Sequence, residues 1–173
     1  GAFVDDFEAA RDLDAVIVTH RHPDHLDPQS LPGLLEANRE AALLFSAEGA
    51  SVCVADMSRE AGEQTASEAR EAFFQPVDVA DQESVEAMYA AAAERYGGID
   101  VLYNNAGIMP ADDSSILDTE ADAWQRVQDV NTKGVFLCCK HGIPYLPERG
   151  GGSVINVASF VALLGAATSQ VSY

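Results

Sequence analysis

Apolar residues along this chain form two patterns: short runs rich in β-branched residues, and longer stretches in which they recur every three or four positions. The first pattern marks buried strands and the second marks amphipathic helices, so their alternation predicts a parallel sheet with helices on both faces. Strands are expected over residues 15–19, 51–55, 74–79, 99–103 and 154–157. Helices are expected over 31–48 and 60–73, with Asn38 interrupting the apolar stripe of the first. Asp81 can cap a third helix, whose apolar face is Val85, Met88, Tyr89, Ala92 and Tyr96. Thr119 opens a fourth, running through Trp124, Val127, Val130 and Val135 to about His141, with Asn131 as the one anomaly on its apolar face. Gly49, the Gly97-Gly98 pair, and Gly142 with Pro144 stand where helices should stop.

The run Ala15-Val16-Ile17-Val18-Thr19 is apolar almost throughout, which suits a strand buried on both faces. It is expected at the centre of the sheet, between the strands that end near Asp56 and Tyr103, since those two would otherwise leave an exposed apolar edge. The fold class is therefore α/β: a doubly wound, Rossmann-like parallel sheet in one domain over residues 1–173.

Composition narrows the partners. The chain has 173 residues and a formal charge of −18. Acid exceeds base both in the first forty residues and in the remainder, and no basic patch appears. Nucleic acid and anionic membranes, which bind clustered Lys and Arg, are not expected partners. No apolar run approaches the roughly 20 residues of a membrane span, and the start Gly-Ala-Phe-Val-Asp-Asp is acidic where a signal peptide is basic. A cytoplasmic protein acting on a small molecule is expected, with a homo-oligomer an open alternative. Cys53, Cys138 and Cys139 sit among apolar neighbours and read as reduced, buried thiols.

Two sets of residues carry chemistry. In His20-Arg21-His22-Pro23-Asp24-His25, two histidines two apart on an extended turn can reach one metal from the same side, and neutral imidazole with carboxylate suits zinc. His20, His22, Asp24 and His25 are the candidate ligands of one weakly held zinc ion. This segment resembles the H-x-H-x-D-H signature of the metallo-β-lactamase superfamily of metal-dependent hydrolases. That family completes its sites with later His and Asp ligands; here the remaining histidine is His141, which reads as a helix-end residue.

The second set is more extended. Val77-Asp78-Val79, Asn104-Asn105-Ala106-Gly107, Asn131 in Val-Asn-Thr-Lys-Gly, Ser159 in Ile-Asn-Val-Ala-Ser, and Tyr173 follow one another in the order and spacing of the short-chain dehydrogenase/reductase family. The resemblance runs from about Ala41 to Tyr173. It implies an NAD-dependent oxidoreductase moving hydride between nicotinamide and an alcohol or ketone, with Asn131, Ser159 and Tyr173 catalytic. It also implies that Asp56, Asp78, Val79, Asn105, Ala106 and Gly107 bind the cofactor. The physical reasons are separable from the name. An acid at the end of the second strand can accept hydrogen bonds from a ribose and repels a 2′-phosphate, which favours NAD. Gly107 lets a ribose approach the backbone. An amide on an apolar helix face must find partners, and the family's matching Asn interrupts the helix and holds a water in a proton relay. Ser159 donates to a substrate carbonyl, and Tyr173 exchanges the proton.

The chain departs from that family at two places. The family's first strand leads into a glycine-rich loop that holds pyrophosphate on backbone N–H groups; here the histidine-rich segment follows Thr19. Thr19 and Asp56 also stand further apart than the roughly 20 positions usual between such a loop and its acid. The family's active-site lysine, shortly after the tyrosine, is absent. The sequence thus reads as a metallo-hydrolase-like segment, 1–40, joined to a dehydrogenase-like segment, 41–173, incomplete at its C-terminal end and impaired in turnover. A metal-dependent hydrolase and a non-catalytic fragment are the alternatives.

Overall fold

A computed structural model describes residues 16–19, 41–159 and 170–172. Five strands form one all-parallel sheet: β1 (Val16–Thr19), β2 (Val52–Asp56), β3 (Ala72–Pro76), β4 (Val101–Asn104) and β5 (Ser153–Asn156), in the order β3-β2-β1-β4-β5. β1 occupies the expected centre, pairing Val16 with both Val52 and Val101. The chain steps outward to β2 and β3, then returns past β1 to β4, so the direction of winding reverses beside β1.

At β2 the apolar run is continuous because both faces of the sheet are covered there, whereas β5, also expected as a buried strand, is exposed at all four positions. All five residues of β2 are buried. With the two-residue period of a strand, Val52 and Val54 enter one core cluster and Cys53 and Ala55 the other. Leu102 of β4 joins Cys53 and Ala55 under α3 (Gln82–Tyr96) and α5 (Val135–Gly142), with Val85, Met88, Tyr89, Ala92, Leu137 and Cys138. Val101 joins Val52 and Val54 on the opposite face, with Ala42 and Phe45 of α1, whose described helical part is residues 41–47. Burying a valine of this kind is worth about 1.5–3 kcal/mol.

Caps follow the sequence signals where the chemistry is local. Ser58 caps α2 (Arg59–Glu68) by accepting from Ala61 N at 3.3 Å, and Asp81 caps α3 by accepting from Glu83 N at 3.3 Å. Gly97 ends α3 at φ +76°, a left-handed conformation that glycine adopts without steric cost.

Some boundaries differ from the sequence expectation. The helix expected over 60–73 ends at Glu68, and the strand expected over 74–79 is Ala72–Pro76. Phe73 and Phe74 pair with Cys53 and Val54, whereas Val77 and Val79 are apolar because they are buried beyond the strand's end. β4 and β5 are likewise offset from 99–103 and 154–157. The fourth helix divides into α4 (Ala121–Gln128), a π turn (Asp129–Gly134) and α5. Glu120, not Thr119, is its N-cap, and the Thr119 hydroxyl instead accepts from Ser114 N at 2.8 Å. Trp124 is 45% exposed, because Ala123 and Val127 carry the buried stripe of α4. Cys139 is half-buried rather than buried.

Candidate functional site

The carboxyl ends of β2, β3 and β4 deliver the candidate residues to one edge of the sheet, on either side of the winding reversal beside β1. In an open α/β sheet this is where the crevice lies. Asp56 ends β2; it is 2% exposed, and its Oδ1 accepts from Ser58 N at 2.7 Å. The Asp56 carbonyl accepts from Val77 N at 3.1 Å, which ties the ends of β2 and β3 together. Asp78 folds into a local turn, its Oδ1 accepting from Ala80 N at 2.9 Å and its own N–H donating to Ser84 Oγ at 2.9 Å. Val79 is buried against Gly134, where a Cβ would lie 2.8 Å from Val79 Cγ2. A cleft of about 650 Å³ opens here, lined by Met57, Asp78, Ala80, Ile108, Arg126 and Val130 among others.

Asn105, Ala106 and Gly107 follow β4 directly and are half-buried. A Cβ on Gly107 would meet nothing closer than Asn131 Oδ1 at 3.5 Å, so packing among the described residues does not demand glycine there. The Asn104 side chain anchors the base of this loop: it is 3% exposed and donates to Asn156 Oδ1 at 2.8 Å and to Cys139 Sγ at 3.4 Å. Asn104 and Asn156 are register partners, so the pair locks the ends of β4 and β5 together.

Asn131 lies within the π turn, and both polar atoms of its side chain bond one residue of the loop after β4. Oδ1 accepts from Ile108 N at 2.7 Å and Nδ2 donates to Ile108 O at 2.9 Å. The amide that looked costly on an apolar face is thereby satisfied, and the widened turn is the sort of helix irregularity that gathers at functional sites. Ser159 lies just past β5 and is half-buried.

The remaining candidates fall outside the described residues: Tyr173, and His20, His22, Asp24 and His25. Among the described residues no group of three His, Cys, Asp or Glu could hold a metal. His141 sits at the end of α5, its Nδ1 3.4 Å from Glu86 Oε1 of α3. No helix among the described residues is long and apolar enough to cross a membrane.

Burial makes the core thiols poor nucleophiles. It pushes Cys53 and Cys138 up to about 12, and it also raises the Tyr89 phenol, which packs beside Cys138. The sequence reading missed Asp113 and Gln128, which contact Ser172 across the fold. Asp112-Asp113 resembles any solvated acidic turn, and nothing local signals a distant partner.

Residues 38–173 match the profile of the short chain dehydrogenase family. Among curated proteins, meso-2,3-butanediol dehydrogenase of Serratia marcescens is 41% identical over 127 residues, covering 72% of this chain and 49% of the relative. An uncharacterized oxidoreductase of Thermotoga maritima is 38% identical, covering 68% of this chain and 47% of its own length. The 2-(R)-hydroxypropyl-CoM dehydrogenase of Xanthobacter autotrophicus is 37% identical, covering 71% and 52%. The chain spans about half the length of these relatives.

Proposed function

Since this chain belongs to the short chain dehydrogenase family, we propose that its sheet edge binds NAD and serves hydride transfer between nicotinamide and a secondary alcohol or ketone. The observation that carries the reading is the cleft at the carboxyl ends of β2, β3 and β4, with Asp78 and Ile108 in its wall and Asn131 fastening the loop that follows β4.

The residues present fit the adenosine end of such a cofactor. Asp56, Asp78, Val79, Asn105, Ala106 and Gly107 would hold it, with Asp78 in the wall of the cleft. When bound, nicotinamide supplies or takes up the hydride. Asp56 favours NAD, because its carboxylate accepts from ribose hydroxyls and repels a 2′-phosphate. The Ser159 hydroxyl donates to the substrate oxygen. The Tyr173 phenol gives that oxygen a proton in the reducing direction and takes it back in the oxidising direction. A free phenol titrates at about 10, so Tyr173 needs a neighbouring positive charge to exchange protons near neutral pH. Asn131 braces the loop against which the cofactor lies. The diol named in one relative, meso-2,3-butanediol, sets the first substrate to try.

The chain's one tryptophan offers a binding test. Trp124 lies in α4, whose Asp122, Gln125 and Arg126 line the cleft. Bound NADH absorbs where tryptophan emits, so titration should quench Trp124 and sensitise NADH fluorescence with saturation. A linear response with no saturation contradicts the reading.

A further inference from the structure

Asp113 is 1% exposed, and its carboxylate is directed wholly at the two residues that precede Tyr173. Oδ1 accepts from Val171 N at 3.1 Å, from Ser172 N at 3.1 Å and from Ser172 Oγ at 2.8 Å. Oδ2 accepts from Ser172 N at 3.2 Å. From the opposite side Gln128 of α4 donates through Nε2 to Ser172 O at 2.9 Å. Ser172 is itself buried, at 8% exposure.

A carboxylate taken out of water is strongly unfavourable unless donors surround it, and here the donors come from a segment nearly sixty positions away. The acceptor is firmly mounted. Asp113 N donates to Pro110 O at 3.2 Å, Ser114 N donates to Thr119 Oγ1 at 2.8 Å, and Arg126 donates to both oxygens of Asp112 at 2.7 Å. Such a mount defines where Val171 and Ser172 lie.

We propose that Asp113, with Gln128, is a positioning residue for Tyr173; this rests on the reading of Tyr173 as the proton-exchanging group. Asp113 and Gln128 together hold both the N–H and the C=O of Ser172, the residue bonded to Tyr173. Asn131 fastens Ile108 of the cleft wall through bonds that do not involve Asp113. On this assignment Asp113 acts on the proton step rather than on NADH binding. Replacing it with Asn turns an NH2 group toward the Ser172 N–H that Oδ2 accepts from and takes the charge away from the three bonds to Oδ1, which loosens the segment.

The test compares the full-length wild type, Asp113→Asn, Tyr173→Phe and the double variant, using NADH-dependent reduction of 2,3-butanedione as the probe. Asp113→Asn should lower kcat by about ten- to a hundredfold, the scale of a small misplacement of a reacting group. NADH affinity should stay within about twofold, and Asp113→Asn should add no further loss of kcat in the Tyr173→Phe background, as residues acting through one another are non-additive. Unchanged kcat in Asp113→Asn, an equal fall in NADH affinity, or a further loss in the double variant overturns the positioning role. Absent wild-type turnover, or undiminished turnover in Tyr173→Phe alone, overturns the catalytic reading and the inference with it. If Asp113→Asn does not fold, Gln128→Leu is read the same way: lower kcat with unchanged NADH affinity supports the role, and unchanged kcat overturns it.

Discussion

Asn131 holds Ile108 by both ends of its peptide chemistry, accepting from Ile108 N at 2.7 Å and donating to Ile108 O at 2.9 Å. One side chain thus fixes the loop that carries Asn105, Ala106 and Gly107 against the widened turn between α4 and α5. Asn131→Ala leaves both Ile108 groups without these partners and should destabilise the fold by about 1–3 kcal/mol. NADH binding should weaken along with it. Asn131→Asp should fare no better, since a carboxylate oxygen would then face the Ile108 carbonyl oxygen. Thermal unfolding and NADH titration of both variants check this.

Gly142, at the end of α5, packs closely on two buried side chains. A Cβ there would lie 2.6 Å from Tyr89 Cζ and 2.8 Å from Leu102 Cδ1, and both residues are fully buried. Gly142→Ala should therefore cost about 1–3 kcal/mol through overpacking, despite alanine's better helix propensity. Urea denaturation should show a lower midpoint with an unchanged slope.

The buried thiols predict an alkaline limit to stability. Cys53 and Cys138 ordinarily titrate near 9 and are pushed up to about 12 by burial. Between these values the unfolded chain has released protons that the folded chain retains, so raising the pH favours unfolding. Their contribution is intact below about pH 9 and is lost as pH climbs toward 12, at up to about 1.4 kcal/mol per pH unit for each thiol. Denaturation midpoints should fall over that window, and Cys53→Ala with Cys138→Ala should flatten the fall.

Asp56 should set cofactor choice. Asp56→Asn removes the charge that opposes a 2′-phosphate while keeping the acceptor for Ser58 N. The ratio of NADH to NADPH affinity should fall by about tenfold, the scale of one charge-assisted hydrogen bond. Parallel titrations with the two reduced cofactors measure it.

Much of this architecture was legible in the sequence because its signals are local or periodic. Ala15 to Thr19 reads as a doubly buried strand from its own letters, and its central place follows from the need to close the gap between the strands ending near Asp56 and Tyr103. Asn131 stood out as an amide on an apolar face, although its partner, Ile108, did not. What sequence could not supply were boundaries and distant pairings. Val77 and Val79 alternate like strand residues but owe their burial to α3 and to Gly134. Asp113 and Ser172 are each ordinary polar residues until folding brings them together. The histidine-rich segment, so conspicuous in the letters, lies outside the described residues.

The most direct measurement follows the hydride itself. Full-length protein is incubated with 2,3-butanedione and NADH carrying deuterium at both C4 positions, and the alcohol product is weighed by mass spectrometry. One deuterium should appear on the new carbinol carbon, at a rate lowered by about a hundredfold or more in Tyr173→Phe. Product without deuterium, or equal labelling in Tyr173→Phe, would contradict the account.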